Sequence, residues 1–198
     1  TAIGRLALSA STTATKNTAV GKDAGAAITT GSWNTAVGAD ALETCTDGEG
    51  NTAIGQESLD SLTTGDSNTG CGRSTGAGVT TGGQNTFVGY LAGAAVNTGS
   101  GNVAIGEQAM ETQTGASQNV AVGQKALEAN STGAYNVGIG GECFRNNTTA
   151  GGNCAVGYAA GTANTTGDSN AFFGYNAGVA NTTASSNAFF GNRAGDAC

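Results

Sequence analysis

The 198-residue chain contains no histidine and no proline, and its single methionine, single tryptophan and 11% charged residues leave little for conventional site chemistry. Without histidine there is no Ser-His or Cys-His nucleophile pair and no imidazole base. Only seven residues are basic and the net charge is −7, so a phosphate-binding surface of clustered Lys and Arg is excluded, and nucleic acid with it. No apolar run approaches the ~18 residues of a membrane span, so no membrane insertion is expected in this segment.

What is present is glycine, 35 residues of it, and a period. Asn17, Asn34, Asn51, Asn68, Asn85, Asn102, Asn119, Asn136, Asn153, Asn170 and Asn187 recur every 17 residues without a slip. With that Asn as position one, coils read N-T-A-I-G-Q-E-S-L-D-S-L-T-T-G-D-S (51–67) and N-V-A-V-G-Q-K-A-L-E-A-N-S-T-G-A-Y (119–135). Position five is Gly in every coil, from Gly4 to Gly191, and position four is Val, Ile, Cys or Phe. A short fixed period means that each unit is one turn that buries its apolar face only by stacking on its neighbours. Seventeen residues supply neither a propeller blade nor a helical hairpin. The expected fold is all-β, a parallel β-solenoid (β-roll) of about twelve coils spanning 1–198 as one repeat domain. The array opens at position two and closes at position twelve, which reads as a segment of a longer array.

Each column has an expected role. Position eight, mostly Ala, and position nine, Leu, Met, Phe or Gly, line the core, and Phe87, Phe172 and Phe189 at position three fall in coils whose position nine is Gly. Strand alternation separates position four from positions three and five. With position four turned inward, position three (Ala19, Gly70, Phe87, Phe172, Phe189) becomes a second apolar stripe, buried between parallel copies of the chain. In a single-chain roll, Phe172 and Phe189 would instead enter its own core. The T-T-G at 29–31, 63–65, 80–82 and 165–167 closes the coil as a turn, and the position-one Asn side chains form a structural ladder. Gly106 and Gly123 stand for a column in which a side chain would push against a neighbouring strand, another subunit or a forbidden backbone angle.

The columns N-T-A-I-G and N-V-A-V-G resemble the S-V-A-I-G signature of YadA-like trimeric autotransporter head repeats and of related phage and environmental tail-fibre-like repeat proteins. That resemblance implies parallel rolls self-associating as a homotrimer or longer fibre, an extracellular, cell-surface or virion location, and an adhesive or spacer role toward a host-surface or glycan receptor. The repeat here is longer than the usual head repeat, and Thr often stands at position two.

Chemical candidates are few. Asp23, Asp40, Glu57 and Glu142 stack at position seven and read as a solvated face, and G-C-G-R-S-T-G (70–76) lacks the Gly-Lys-Ser/Thr ending of a phosphate loop. Asp66 and Asp168 follow turn glycines in only some coils, short of a calcium-binding roll. The cysteines Cys45, Cys71, Cys143, Cys154 and Cys198 scatter over four columns and read as free thiols, a Cys143–Cys154 bridge being the alternative. No catalytic residue, cofactor or metal is expected. Asn130, Asn147, Asn164 and Asn181 at position twelve, with Asn146 beside them, each start an N-x-S/T glycosylation acceptor, which would make the chain a glycan-decorated single-chain fibril, the alternative being an unmodified Asn stack. Adjacent Thr columns at positions thirteen and fourteen raise ice binding as a rival function.

Overall fold

A computed structural model describes residues 1–196. Twelve strands, β1 (Ala2–Ile3), β2 (Thr18–Val20), β3 (Thr35–Val37), β4 (Thr52–Ile54), β5 (Thr69–Cys71), β6 (Thr86–Val88), β7 (Val103–Ile105), β8 (Val120–Val122), β9 (Val137–Ile139), β10 (Cys154–Val156), β11 (Ala171–Phe173) and β12 (Ala188–Phe190), form one parallel sheet in chain order. Each step is one 17-residue coil in strict register, as in Thr35↔Thr52, Ala36↔Ala53 and Val37↔Ile54. The chain is a β-solenoid.

Thr, Val and Ile at positions two and four favour the extended strand, and Gly at position five ends it. At Gly123, φ is +137° and an added Cβ would lie 2.5 Å from the carbonyl oxygen of Gly140 in the next rung. Only glycine fits both the angle and the approach. Beyond the strand, positions seven, nine and seventeen adopt left-handed backbone, as at Glu57 (φ 56°), Leu59 (φ 50°) and Ser67 (φ 59°). These corners cost local strain. They are held by rung-to-rung bonds outside the sheet, such as Leu42 N–H to the Ser58 carbonyl at 3.1 Å and Thr46 N–H to the Thr63 carbonyl at 2.9 Å.

The interior is built from positions one, three, eight, nine and twelve. Asn34, Ala36, Ala41, Leu42 and Cys45 supply those positions in one coil, and all are buried. The position-one Asn has two roles: Asn34 donates from Nδ2 to the Gly48 carbonyl of its own coil at 2.7 Å, and its Oδ1 accepts the Asn51 backbone N–H at 2.9 Å. This repeats along the array and satisfies polar groups that the core would otherwise leave unpaired. Among the described residues Asn153 Nδ2 is an exception, buried without a partner.

The inward and outward assignments of the strand residues are the reverse of the sequence expectation. Position three is inside: Ala19, Phe87 and Phe172 have no exposed surface. Position four is outside, with Ile54 43% and Ile139 40% exposed. The reason is parity, because a position-one Asn anchored inside puts position three inside and positions two and four outside. The stripe expected between copies is therefore the chain's own core. Within it the volume exchange holds, since the Phe87 ring occupies the space beside Gly76 and Gly93, and the Phe172 ring that beside Gly161 and Gly178.

Candidate interaction surface

The outward sheet face carries two columns. Position two is Thr18, Thr35, Thr52, Thr69 and Thr86 in β2–β6, then Val103, Val120, Val137, Cys154, Ala171 and Ala188 in β7–β12. Position four is Val, Ile or Cys until it becomes Phe173 and Phe190, whose rings stack in parallel 5.0 Å apart. No charged residue stands in either column. Charge and aromatic edges instead line position six, where the Arg73 guanidinium lies 4.5 Å above the Tyr90 ring and Tyr158 stacks on Tyr175 at 5.7 Å. The face is therefore uncharged across two columns, with charged and aromatic side chains along one edge.

The threonines of this face differ from those at the turn. At position thirteen, Thr29, Thr46, Thr63 and Thr165 donate their hydroxyls to backbone carbonyls of the next coil at 3.0–3.3 Å, so that column is committed to the ladder rather than offered to ice. The hydroxyls of Thr18, Thr35, Thr52, Thr69 and Thr86 have no such bond within the protein among the described residues. Thr at position two is plain in the sequence, but with position four turned inward these hydroxyls are not expected on an open face. The signal that would have found it is the parity of the interior Asn.

The position-twelve sequons lie inside the coil. Asn130, Asn147 and Asn164 have no exposed surface and Asn181 is 7% exposed. Asn147 donates from Nδ2 to Asn130 Oδ1 at 2.9 Å and to the Ala150 carbonyl at 3.0 Å, and Asn164 does the same with Asn147 and Gly167 at 3.1 and 3.0 Å. Both amide hydrogens are in use, and in the folded coil no transferase reaches the nitrogen that sugar attachment requires. These residues form a second interior amide ladder, continued by Gln113, whose Oε1 accepts from Asn130 at 3.1 Å. Asn146 alone of the five acceptors is exposed.

The carboxylates serve structure. Lys22 bridges Asp23 and Asp40 at 2.7 and 3.2 Å, and Arg5 reaches Asp23 at 3.0 Å. The Lys22 hydrogen bond, reinforced by the Arg5 charge, holds the Asp23 carboxyl below its ordinary range. Glu57 accepts from Ser74 at 2.9 Å, and Arg145 pairs with Glu128 at 2.5 Å and lies 4.0 Å from Glu142. Asp66 and Asp168 cap the backbone N–H groups of Glu49 and Gly151 at 2.7 and 2.8 Å. Among the described residues no three His, Cys, Asp or Glu side chains gather as a metal site.

Cys45, Cys71, Cys143 and Cys154 are free, and Cys198 lies outside the described residues. A Cys143–Cys154 bridge is ruled out by direction: Cys143 points inward, where its thiol donates to the Ala155 carbonyl at 3.3 Å, while Cys154 sits on the outward face. Burial pushes the Cys45 thiol up to about 11 and the Cys143 thiol up to about 12. Comparison with protein-family models, curated proteins and solved structures found no match.

Proposed function

We propose that this chain is a structural segment of an extracellular or virion fibre, a stiff spacer that associates with copies of itself as a trimer and holds an adhesive region toward a host-surface or glycan receptor. The resemblance to YadA-like head repeats supplies the trimer and the adhesive setting. The observation that supports the spacer role is the axial bonding: the twelve strands pair in order, and the tight corners bond to adjoining rungs, position nine to the next (Leu42 N–H to the Ser58 carbonyl, 3.1 Å) and position seven to the preceding one (Asp40 N–H to the Lys22 carbonyl, 2.8 Å). Such an array gains length by adding coils without changing its cross-section. The reading assigns the chain no catalysis and no cofactor, its polar interior being engaged in two amide ladders.

Whole-coil excision in the native fibre tests the spacer role. Deleting residues 34–84, three complete coils, joins Trp33 to Asn85 in the original phase. The fibre is expected to assemble and to shorten by ~14 Å, three rungs at ~4.8 Å each. Loss of assembly, or an unchanged length, contradicts a spacer built from interchangeable coils.

A further inference from the structure

We infer that the cleft beside Trp33, where positions sixteen and seventeen of successive coils stack, binds the guanidinium of an arginine side chain carried by an extended peptide of a partner. The inference holds whether or not copies of the chain associate.

Trp33, at position seventeen, is 54% exposed, and Lys16 of the preceding rung lies over one face of its ring, 5.3 Å from the centroid. The other face therefore turns toward the following rung. There position seventeen is Gly50, and the surface forms a cleft of about 330 Å³ lined by Trp33, Glu49, Gly50, Asp66 and Ser67. A Cβ added to Gly50 would meet only the Ser67 hydroxyl, at 3.8 Å. With no side chain at the Gly50 level, Trp33 and Ser67 stand two rungs apart, ~9.6 Å along the rod. That leaves room for one flat group against the indole.

The surroundings select a cation. Asp66 Oδ1 accepts the Glu49 N–H at 2.7 Å, which fixes that carboxylate at the rim, while Asp66 Oδ2 and the Glu49 carboxylate have no bond within the protein among the described residues. Residues 34–67 contain seven Asp and Glu and no Lys or Arg, a charge equal to the −7 of the whole chain, so the field at the cleft draws in positive groups. A guanidinium is flat, stacks on an aromatic face and bonds carboxylates through its N–H groups. The chain makes this contact within itself at position six, where the Arg73 guanidinium lies 4.5 Å above the ring of Tyr90, one rung on. A partner's guanidinium at the Gly50 level stands in the same one-rung relation to Trp33. The peptide that carries it has a course to follow, because a second cleft of about 390 Å³ shares Asp66 and Ser67 and continues past Thr81 and Gln84 to Ser100.

The arrangement recurs six rungs on. Tyr135, Gly152 and Asp168 with Ser169 repeat the spacing of Trp33, Gly50 and Asp66 with Ser67. Asp168 Oδ1 accepts the Gly151 N–H at 2.8 Å, and a Cβ added to Gly152 would meet only the Ser169 hydroxyl, at 3.7 Å. An exposed aromatic, then a glycine, then Asp-Ser is thus a pattern of the columns. The second copy has Gly151 where the first has Glu49, and so one carboxylate fewer.

Trp33 is the only tryptophan, so its fluorescence reads the cleft directly. Titrating the intact chain with acetyl-Gly-Arg-Gly-amide should give a saturable change, half-complete at about 1 mM or below, and weaker when NaCl is raised from about 20 to about 300 mM. The citrulline peptide, equally flat but uncharged, should bind at least about tenfold more weakly. Saturation-transfer NMR on the arginine δ-protons reads the same contact without relying on the indole. Gly50→Gln fills the level with a side chain that Gln84 and Gln118 carry at the same position with φ 60°, so it should melt like the parent chain and lose at least about tenfold in affinity. Asp66→Asn with Glu49→Gln keeps the acceptor for the Glu49 N–H and removes both charges, with the same expected loss. No response up to ~10 mM peptide, equal binding of the citrulline peptide, or affinity unchanged in either variant overturns the inference. Saturation of the Trp33 signal by a methyl glycoside in place of the arginine peptide would also overturn it and assign the cleft to sugar.

Discussion

At the scale of the residue, the same side chain serves different ends according to which way the strand turns it. Threonine at position thirteen is a rung-to-rung donor, whereas threonine at position two is a free hydroxyl on an uncharged face. Asparagine at position twelve has the sequence of a glycosylation acceptor and the environment of a core amide. Cysteine divides in the same manner. Cys45 and Cys143 are sealed inside with thiols raised to about 11 and about 12, while Cys71 is exposed. Because the thiolate is the reactive form, native alkylation near pH 8 should modify Cys71 at least roughly 100-fold faster than Cys45 or Cys143, and denaturant should abolish the difference. Peptide mass mapping of a time course reads all three. Modification of Cys143 at the rate of Cys71 would mean that the interior opens far more readily than its amide ladders imply.

At the scale of the coil, the position-five glycine limits how closely rungs can stack. A valine at Gly123 would have to adopt φ +137° and place its Cβ 2.5 Å from a backbone oxygen that cannot move without breaking the rung. Gly123→Val, and Gly106→Val for the same reason, should destabilise by about 3 kcal/mol or more. Gly141 is the internal control. Its backbone is not left-handed and its nearest neighbour, a carbon of the Tyr158 ring, lies 3.4 Å from an added Cβ, so Gly141→Ala should stay within ~0.5 kcal/mol. Thermal melts of the three variants check this, with losses of roughly 6–12 °C for the first two. Equal melting of Gly123→Val and Gly141→Ala would refute the close-approach explanation.

The coil also shows what could be read in advance. The period, the parallel register, the Gly column and the Phe-for-Leu volume exchange follow from composition at fixed spacing, because stacked equivalents must share one conformation. The facing of the strand was misjudged, since Ala and Gly at position three look less core-like than Val and Ile at position four. In so narrow a roll the interior has room at position three for Ala beside a Leu, or for Phe beside two glycines, and the larger β-branched residues are left outside. Asn17 and its equivalents held the answer: a ladder Asn fixed inside determines the direction of every residue in its strand. The position-twelve Asn residues were legible as an inward or interface column, since Ile28, Leu62, Val79 and Val96 precede them in the same column. A column that begins apolar and ends in amides stays interior when the amides can bond one another.

At the scale of the whole molecule, a rod with an uncharged outward face has two ways to meet water: present that face to solvent along its full length, or cover it with a partner ruled at the same spacing. The two columns of that face carry no charge, and among the described residues its Phe173 and Phe190 rings stack only on each other; the trimer proposed above corresponds to the second. Mass per unit length of the native fibre, from scanning transmission microscopy or light scattering, bears on this most directly. Three chains' mass for each ~4.8 Å rung is the predicted result. One chain's mass per rung would contradict it and leave a single solenoid with its outward face bare.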